Sequence, residues 1–120
     1  MPNTKDSLPK LMDIDGCLGC CIVDSNSGMM LGASGNAPLN LEVAAAGNTE
    51  VVRAKRKTLK ALNLTDHVED ILITLGRQYH LIRPLSSNDT LFIYVVLDKA
   101  KANLAMARYQ LTQIEKDMVV

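Results

Sequence analysis

Residues Leu91, Phe92, Ile93, Tyr94, Val95, Val96 and Leu97 form an unbroken apolar run that ends at Asp98. Successive side chains of a strand point to opposite faces, so a run without polar alternation needs cover on both sides. This pattern predicts the central strand of a sheet. After it, Ala100, Leu104, Ala107, Leu111, Ile114 and Met118 recur at steps of three and four. That is the stripe of an amphipathic helix able to fold back on the strand. Asp98 and Asn103 compete as its N-cap.

A second continuous apolar run, Cys17 to Val23, predicts a strand buried beside the first. The turn formers Asp24, Ser25, Asn26, Ser27 and Gly28 close a hairpin onto Met29–Ala33. Gly32 and Gly35 weaken the end of that strand and suit an edge or a bulge. Ahead of the hairpin, residues 4–14 predict a short helix with Leu8, Leu11, Met12 and Ile14 as its apolar side; Pro9 fits a first turn and is costly further inside.

A long helix is predicted over residues 40–62. Stepping about 100° per residue puts Leu41, Ala44, Asn48, Val51, Val52, Lys55, Leu59 and Leu62 in one sector. The opposite sector holds Ala46, Glu50, Arg53, Arg56, Lys57 and Lys60. Asn48 and Lys55 are anomalies for a dry core face, and Gly47 beside Ala44, Ala45 and Ala46 permits close approach of another backbone. Subunit packing accounts for the mixed sector; snorkelling of Lys55 to water is the alternative. Val68–Leu75 and Tyr79–Leu85 predict two more strands joined at Gly76, Arg77 and Gln78. The order is helix, two strands, helix, three strands, helix, in a single domain over residues 1–120.

Composition limits the function classes. One Phe, three Tyr and no Trp leave the core to aliphatic residues and six Met, and the formal net charge of zero argues against a nucleic-acid or membrane-surface binder. No run reaches the ~18 apolar residues of a membrane span. Lys5, Asp6, Lys10, Asp13 and Asp15 interrupt any secretory signal core, so the cytosol is the expected location.

Candidate chemistry is sparse. Cys17, Cys20 and Cys21 invite a metal or redox reading, but no second cysteine pair completes a zinc site. On a regular strand Cys17 and Cys20 point to opposite faces, which leaves buried cysteines acting as small hydrophobes. His67 and His80 stand in no recognisable nucleophile pattern, and the glycines match neither a dinucleotide fingerprint nor a P-loop. No catalytic residue, metal or cofactor is expected. Arg53, Arg56, Lys57 and Lys60 form a local basic face, read either as solvated or as a dock for an acidic partner. Either way, reversing its charges should leave folding nearly unchanged.

Gly16-Cys17-Leu18-Gly19 leading into Ile22-Val23-Asp24, and the turn Ser27-Gly28-Met29, resemble the roadblock/LC7 family. The segment Ile71 to Leu85 is similar to the third and fourth strands of bacterial members. Leu97-Asp98 followed by Ala102-Asn103-Leu104-Ala105 and Ala107-Arg108 is similar to the last strand and helix. The resemblance implies an α+β, profilin-like fold with an antiparallel sheet of strand order 2-1-5-4-3. It places the long helix on one face and the terminal helices on the other. It also implies a non-enzymatic homodimer paired through the long helix and third strand, here Ala44, Gly47, Asn48, Val51, Lys55, Ile71, Leu72 and Ile73. Its members regulate small Ras-like GTPases or serve as dynein light chains. The implied function is a cytosolic adaptor that binds such a GTPase, with Arg53, Arg56, Lys57 and Lys60 as docking residues, and modulates its GTP hydrolysis or localisation. A structural scaffold or ligand-sensing module without a GTPase is the alternative.

Overall fold

In the computed structural model, which describes residues 4–118, the apolar run at Leu91 forms the middle strand of five. The elements are α1 (Thr4–Met12), β1 (Cys17–Asp24), β2 (Met29–Gly35), α2 (Leu41–Ala61), β3 (Ile71–Thr74), β4 (Gln78–Pro84), β5 (Leu91–Asp98) and α3 (Leu104–Asp117). The sheet order is β2-β1-β5-β4-β3, and every neighbouring pair is antiparallel. This is the α+β arrangement that the family resemblance implies.

Alternate residues of β5 divide between two cores. Leu91, Ile93, Val95 and Leu97 pack with Leu8 and Leu11 of α1 and with Ala107, Leu111 and Ile114 of α3. Phe92, Tyr94 and Val96 pack with Ala45 and Val52 of α2. The strand is fully buried because helices cover both of its faces, the arrangement its lack of alternation requires.

Several local expectations are corrected. Thr4 starts α1, so Pro9 lies inside the helix and not in its first turn. β3 is limited to four residues, shorter than the strand predicted over Val68–Leu75. Asn103 is the N-cap of α3, its side chain accepting from Met106 N at 3.0 Å; Asp98 instead accepts from Ala100 N within the preceding turn. Ala100 therefore precedes the helix and is exposed, leaving the buried stripe to Ala107, Leu111, Ile114 and Met118.

The pairing of β1 also departs from regularity. Cys17 opposes Leu97, Gly19 opposes Val96 and Cys20 opposes Val95, so Leu18 is an extra residue on one strand. Such a bulge reverses the side-chain alternation that follows it. Cys17 and Cys20 consequently share the face that packs on α1 and α3, while Cys21 joins the α2 core. This overturns the expectation that Cys17 and Cys20 point apart. A second irregularity, between Ile22 and Val23, leaves Leu31 as the extra residue in edge strand β2.

Candidate functional site

Helix α2 begins at Asn40, whose side-chain oxygen accepts from the backbone N–H of Glu42 at 3.0 Å and of Val43 at 3.2 Å. Its buried stripe is Ala45, Thr49 and Val52, rotated from the sector centred on Ala44, Asn48, Val51 and Lys55. The polar member is accommodated because the Thr49 hydroxyl donates to Ala45 O at 2.7 Å. The helix packs over β1 and β2, so its other flank and the β3–β4 side of the sheet are not fully covered by each other.

That flank carries the unexplained apolar surface. Val43 is 67% exposed and Val51 37% exposed. Gly47 lies between them, and a Cβ built on it would meet no atom of the chain within 4 Å. A groove of about 500 Å³ continues from it, lined by Val51, Lys55, Leu59, Leu64, Val68 and Ile71 with Asp66, Glu69 and Asp70 along its rim. β3 forms one edge of the sheet and pairs only with β4. Helix flank, groove and free strand edge thus form one continuous surface.

The residues expected at a subunit interface have different surroundings. Val51, Lys55 and Ile71 line the groove together. Ile73 packs toward the same core as Ile71, whereas Leu72 packs toward the α1 and α3 core on the far side of the sheet. Asn48 is half-buried, and its influence on the Tyr94 phenol opposes the rise that burial causes. Ala44 is half-buried, and Gly47 stands open.

The four basic residues also differ from one another. Arg53 donates from Nε to Ser25 O at 2.9 Å, and its guanidinium reaches Asn26 O and Glu50 Oε1. Arg56 contacts the Ser25 hydroxyl at 3.4 Å and donates to Asp89 O. These two side chains tie α2 to the β1–β2 turn and to the loop before β5. Lys57 and Lys60 are exposed. Periodicity alone could not find the tether, because its acceptors are backbone carbonyls 28 and 33 residues away in sequence.

Two polar clusters complete the picture. The Tyr94 hydroxyl is 3.0 Å from His80 Nδ1, and His80 Nε2 is 2.9 Å from Gln78 Oε1. Burial lowers the His80 pKa below its ordinary value, and burial pushes the Tyr94 phenol up to about 12. On the opposite face, Glu115 receives Arg83 Nε at 2.7 Å, Ser86 N at 3.0 Å and the Ser86 hydroxyl at 3.3 Å. His67 is exposed beside Asp66. Among the described residues no helix is long and apolar enough to cross a membrane.

No family model and no curated protein matches this sequence. Solved structures do match its fold. MglB from Myxococcus xanthus superposes with a TM-score of 0.80 at 14% identity, covering 92% of this chain and 80% of that one. A Roadblock/LC7 domain from Streptomyces avermitilis gives 0.80 at 11% identity, covering 97% and 93%. The gliding protein MglB from Thermus thermophilus gives 0.79 at 14% identity, covering 94% and 83%. At such identities the likeness is one of architecture, and the architecture of this chain is the roadblock/LC7 fold.

Proposed function

We propose that the protein is a cytosolic, non-enzymatic homodimeric adaptor that docks a small Ras-like GTPase and regulates its hydrolysis or localisation. The observation that carries the dimer is the open position at Gly47, flanked by exposed Val43 and Val51 and continuous with the unpaired edge of β3. A glycine costs about 1 kcal/mol in a helix interior relative to alanine, and nothing inside this chain requires one there. A second copy's backbone approaching that point supplies the reason. The GTPase partner follows from the roadblock/LC7 resemblance, supported by the architectural likeness to MglB. Paired long helices would present Lys57 and Lys60 on one platform, with Arg53 and Arg56 holding the neighbouring turns in place.

Gly47→Arg tests the dimer directly. The monomer has room for the side chain and gains helix propensity, so the variant should remain folded while light scattering shows it monomeric. A variant that stays dimeric would place the interface elsewhere. For the partner, immobilised protein should retain a small GTPase from native extract in a manner that depends on a GTP analogue against GDP. Recovery of no GTPase with either nucleotide counts against the regulator and in favour of a scaffold.

A further inference from the structure

The bulge at Leu18 creates a sulfur cluster that a regular strand would not. Cys17 opposes Leu97 and Cys20 opposes Val95, two residues apart on β5, so both cysteines lie on one face. The Cys17 thiol is 3.7 Å from the Met12 thioether at the end of α1 and also contacts Gly19 O. The Cys20 thiol is fully buried and donates to Leu8 O at 3.9 Å. Met12 and Cys17 are half-buried. Gly35 keeps this space clear, since a Cβ there would lie 2.9 Å from the Met12 sulfur.

We propose that Met12, Cys17 and Cys20 form a binding site for one soft monovalent metal ion, with Cu(I) as the fitting case. Thiolate and thioether ligands select such ions over harder divalent ones. Among the described residues no three His, Cys, Asp or Glu side chains converge on a metal-sized site, which excludes an ordinary zinc centre; here the third ligand is a thioether. A direct disulfide suits the geometry less well. Two steps along a partner strand separate the cysteines by about 6.8 Å, at the outer limit of the roughly 4.4–6.8 Å Cα separation of disulfides. An ion between the sulfurs asks less of the backbone than a direct bond does, because two metal–sulfur bonds of roughly 2.3 Å each hold the sulfurs up to about 4.6 Å apart, against about 2.05 Å in a disulfide.

The proton inventory is consistent with uptake. Entry of the ion displaces one proton from each thiol, both released to solvent, with no change in oxidation state. Cys21, on the other face and raised to about 12 by burial, takes no part.

The test is anaerobic titration of the reduced full chain with a coloured Cu(I) chelate, following loss of colour as the protein takes the ion. Wild type and Cys21→Ala should each bind one equivalent. Cys17→Ser should bind at least tenfold more weakly, and Met12→Leu should weaken binding while reducing the sulfur ligands seen by copper X-ray absorption from three to two. Both altered side chains are half-buried, so these variants carry the test if Cys20→Ala fails to fold. Absence of uptake by wild type, full binding by Cys17→Ser, or formation of a Cys17–Cys20 disulfide without copper uptake would each overturn the site.

Discussion

The Tyr94 hydroxyl meets His80 Nδ1 at 3.0 Å, with the two rings nearly perpendicular at 86°. With Gln78 Oε1 as acceptor, Nε2 carries a proton, and in the neutral ring that burial favours, Tyr94 donates to Nδ1. A proton arriving at Nδ1 removes the acceptor for the tyrosine hydroxyl. The chain Gln78–His80–Tyr94 joins β4 and β5 through side chains that packing alone would not require to be polar.

The sign of the pH dependence follows. Burial lowers the folded-state pKa of His80 below 6.5, so the unfolded chain binds more protons in that window. The contribution is fully present above 6.5 and is lost as pH falls through the lowered folded value. Urea unfolding midpoints should therefore decrease on acidification below 6.5, and the decrease should be shallower in His80→Gln. Parallel pH profiles for the two proteins would show that His80 is not the group responsible.

Glu115 makes a second prediction. Its side chain is 5% exposed, against 14% for Arg83, and it also accepts from the Ser86 backbone and hydroxyl. Replacing Glu115 by Ala leaves a largely buried guanidinium and a backbone N–H without their acceptor. Breaking one partner of a buried pair costs about 3–5 kcal/mol. The loss should exceed that in the isosteric Glu115→Gln variant, which keeps oxygen acceptance at one position. Equal losses in denaturant unfolding would mean that the carboxylate charge and second oxygen contribute nothing.

The central strand is the part of the fold most fully legible in sequence, because burial on two faces removes alternation. The same property hid the bulge at Leu18: where every residue from Cys17 to Val23 is apolar, no polar position marks the register. In α2 the apolar sector pointed to Val51 and Leu62, yet both are exposed while Thr49 is buried. A hydroxyl that satisfies itself on the preceding turn is invisible to a hydrophobic pattern. β3 was overextended because Val68 reads as strand-forming, whereas pairing with β4 begins only at Ile71. Asn48 was legible as an anomaly, but its influence on Tyr94 could be recognised only once β5 was placed beneath the helix.

Ile93 measures how far the strand carries the core. It is 1% exposed and faces the α1 and α3 side between Ile22 and Arg83 on the flanking strands. Ile93→Ala should cost about 2–5 kcal/mol, the range for removing a large aliphatic side chain from a site that cannot fully collapse. Chemical denaturation with an unchanged m-value would assign the loss to the native core. A loss below about 0.5 kcal/mol, as at a surface site, would contradict the central role of the strand.

Charge reversal on α2 separates tether from platform. Uniform solvation of the basic face predicts that Arg53, Arg56, Lys57 and Lys60 tolerate Glu equally, but the contacts divide them into two pairs. Arg56→Glu places a carboxylate against the Asp89 carbonyl and the Ser25 hydroxyl, and Arg53→Glu does the same at the carbonyls of Ser25 and Asn26. Hydrogen bonds to a charged group contribute about 1.5–3 kcal/mol, with the lower end expected because both side chains are partly solvated. Lys57→Glu and Lys60→Glu should change stability by less than about 0.5 kcal/mol. If an acidic partner docks on this face, the lysine pair should weaken its binding at unchanged thermal stability, while the arginine pair lowers both. Measuring melting temperature and partner affinity on the same four single variants distinguishes the roles, and equal behaviour of all four would return the face to simple solvation.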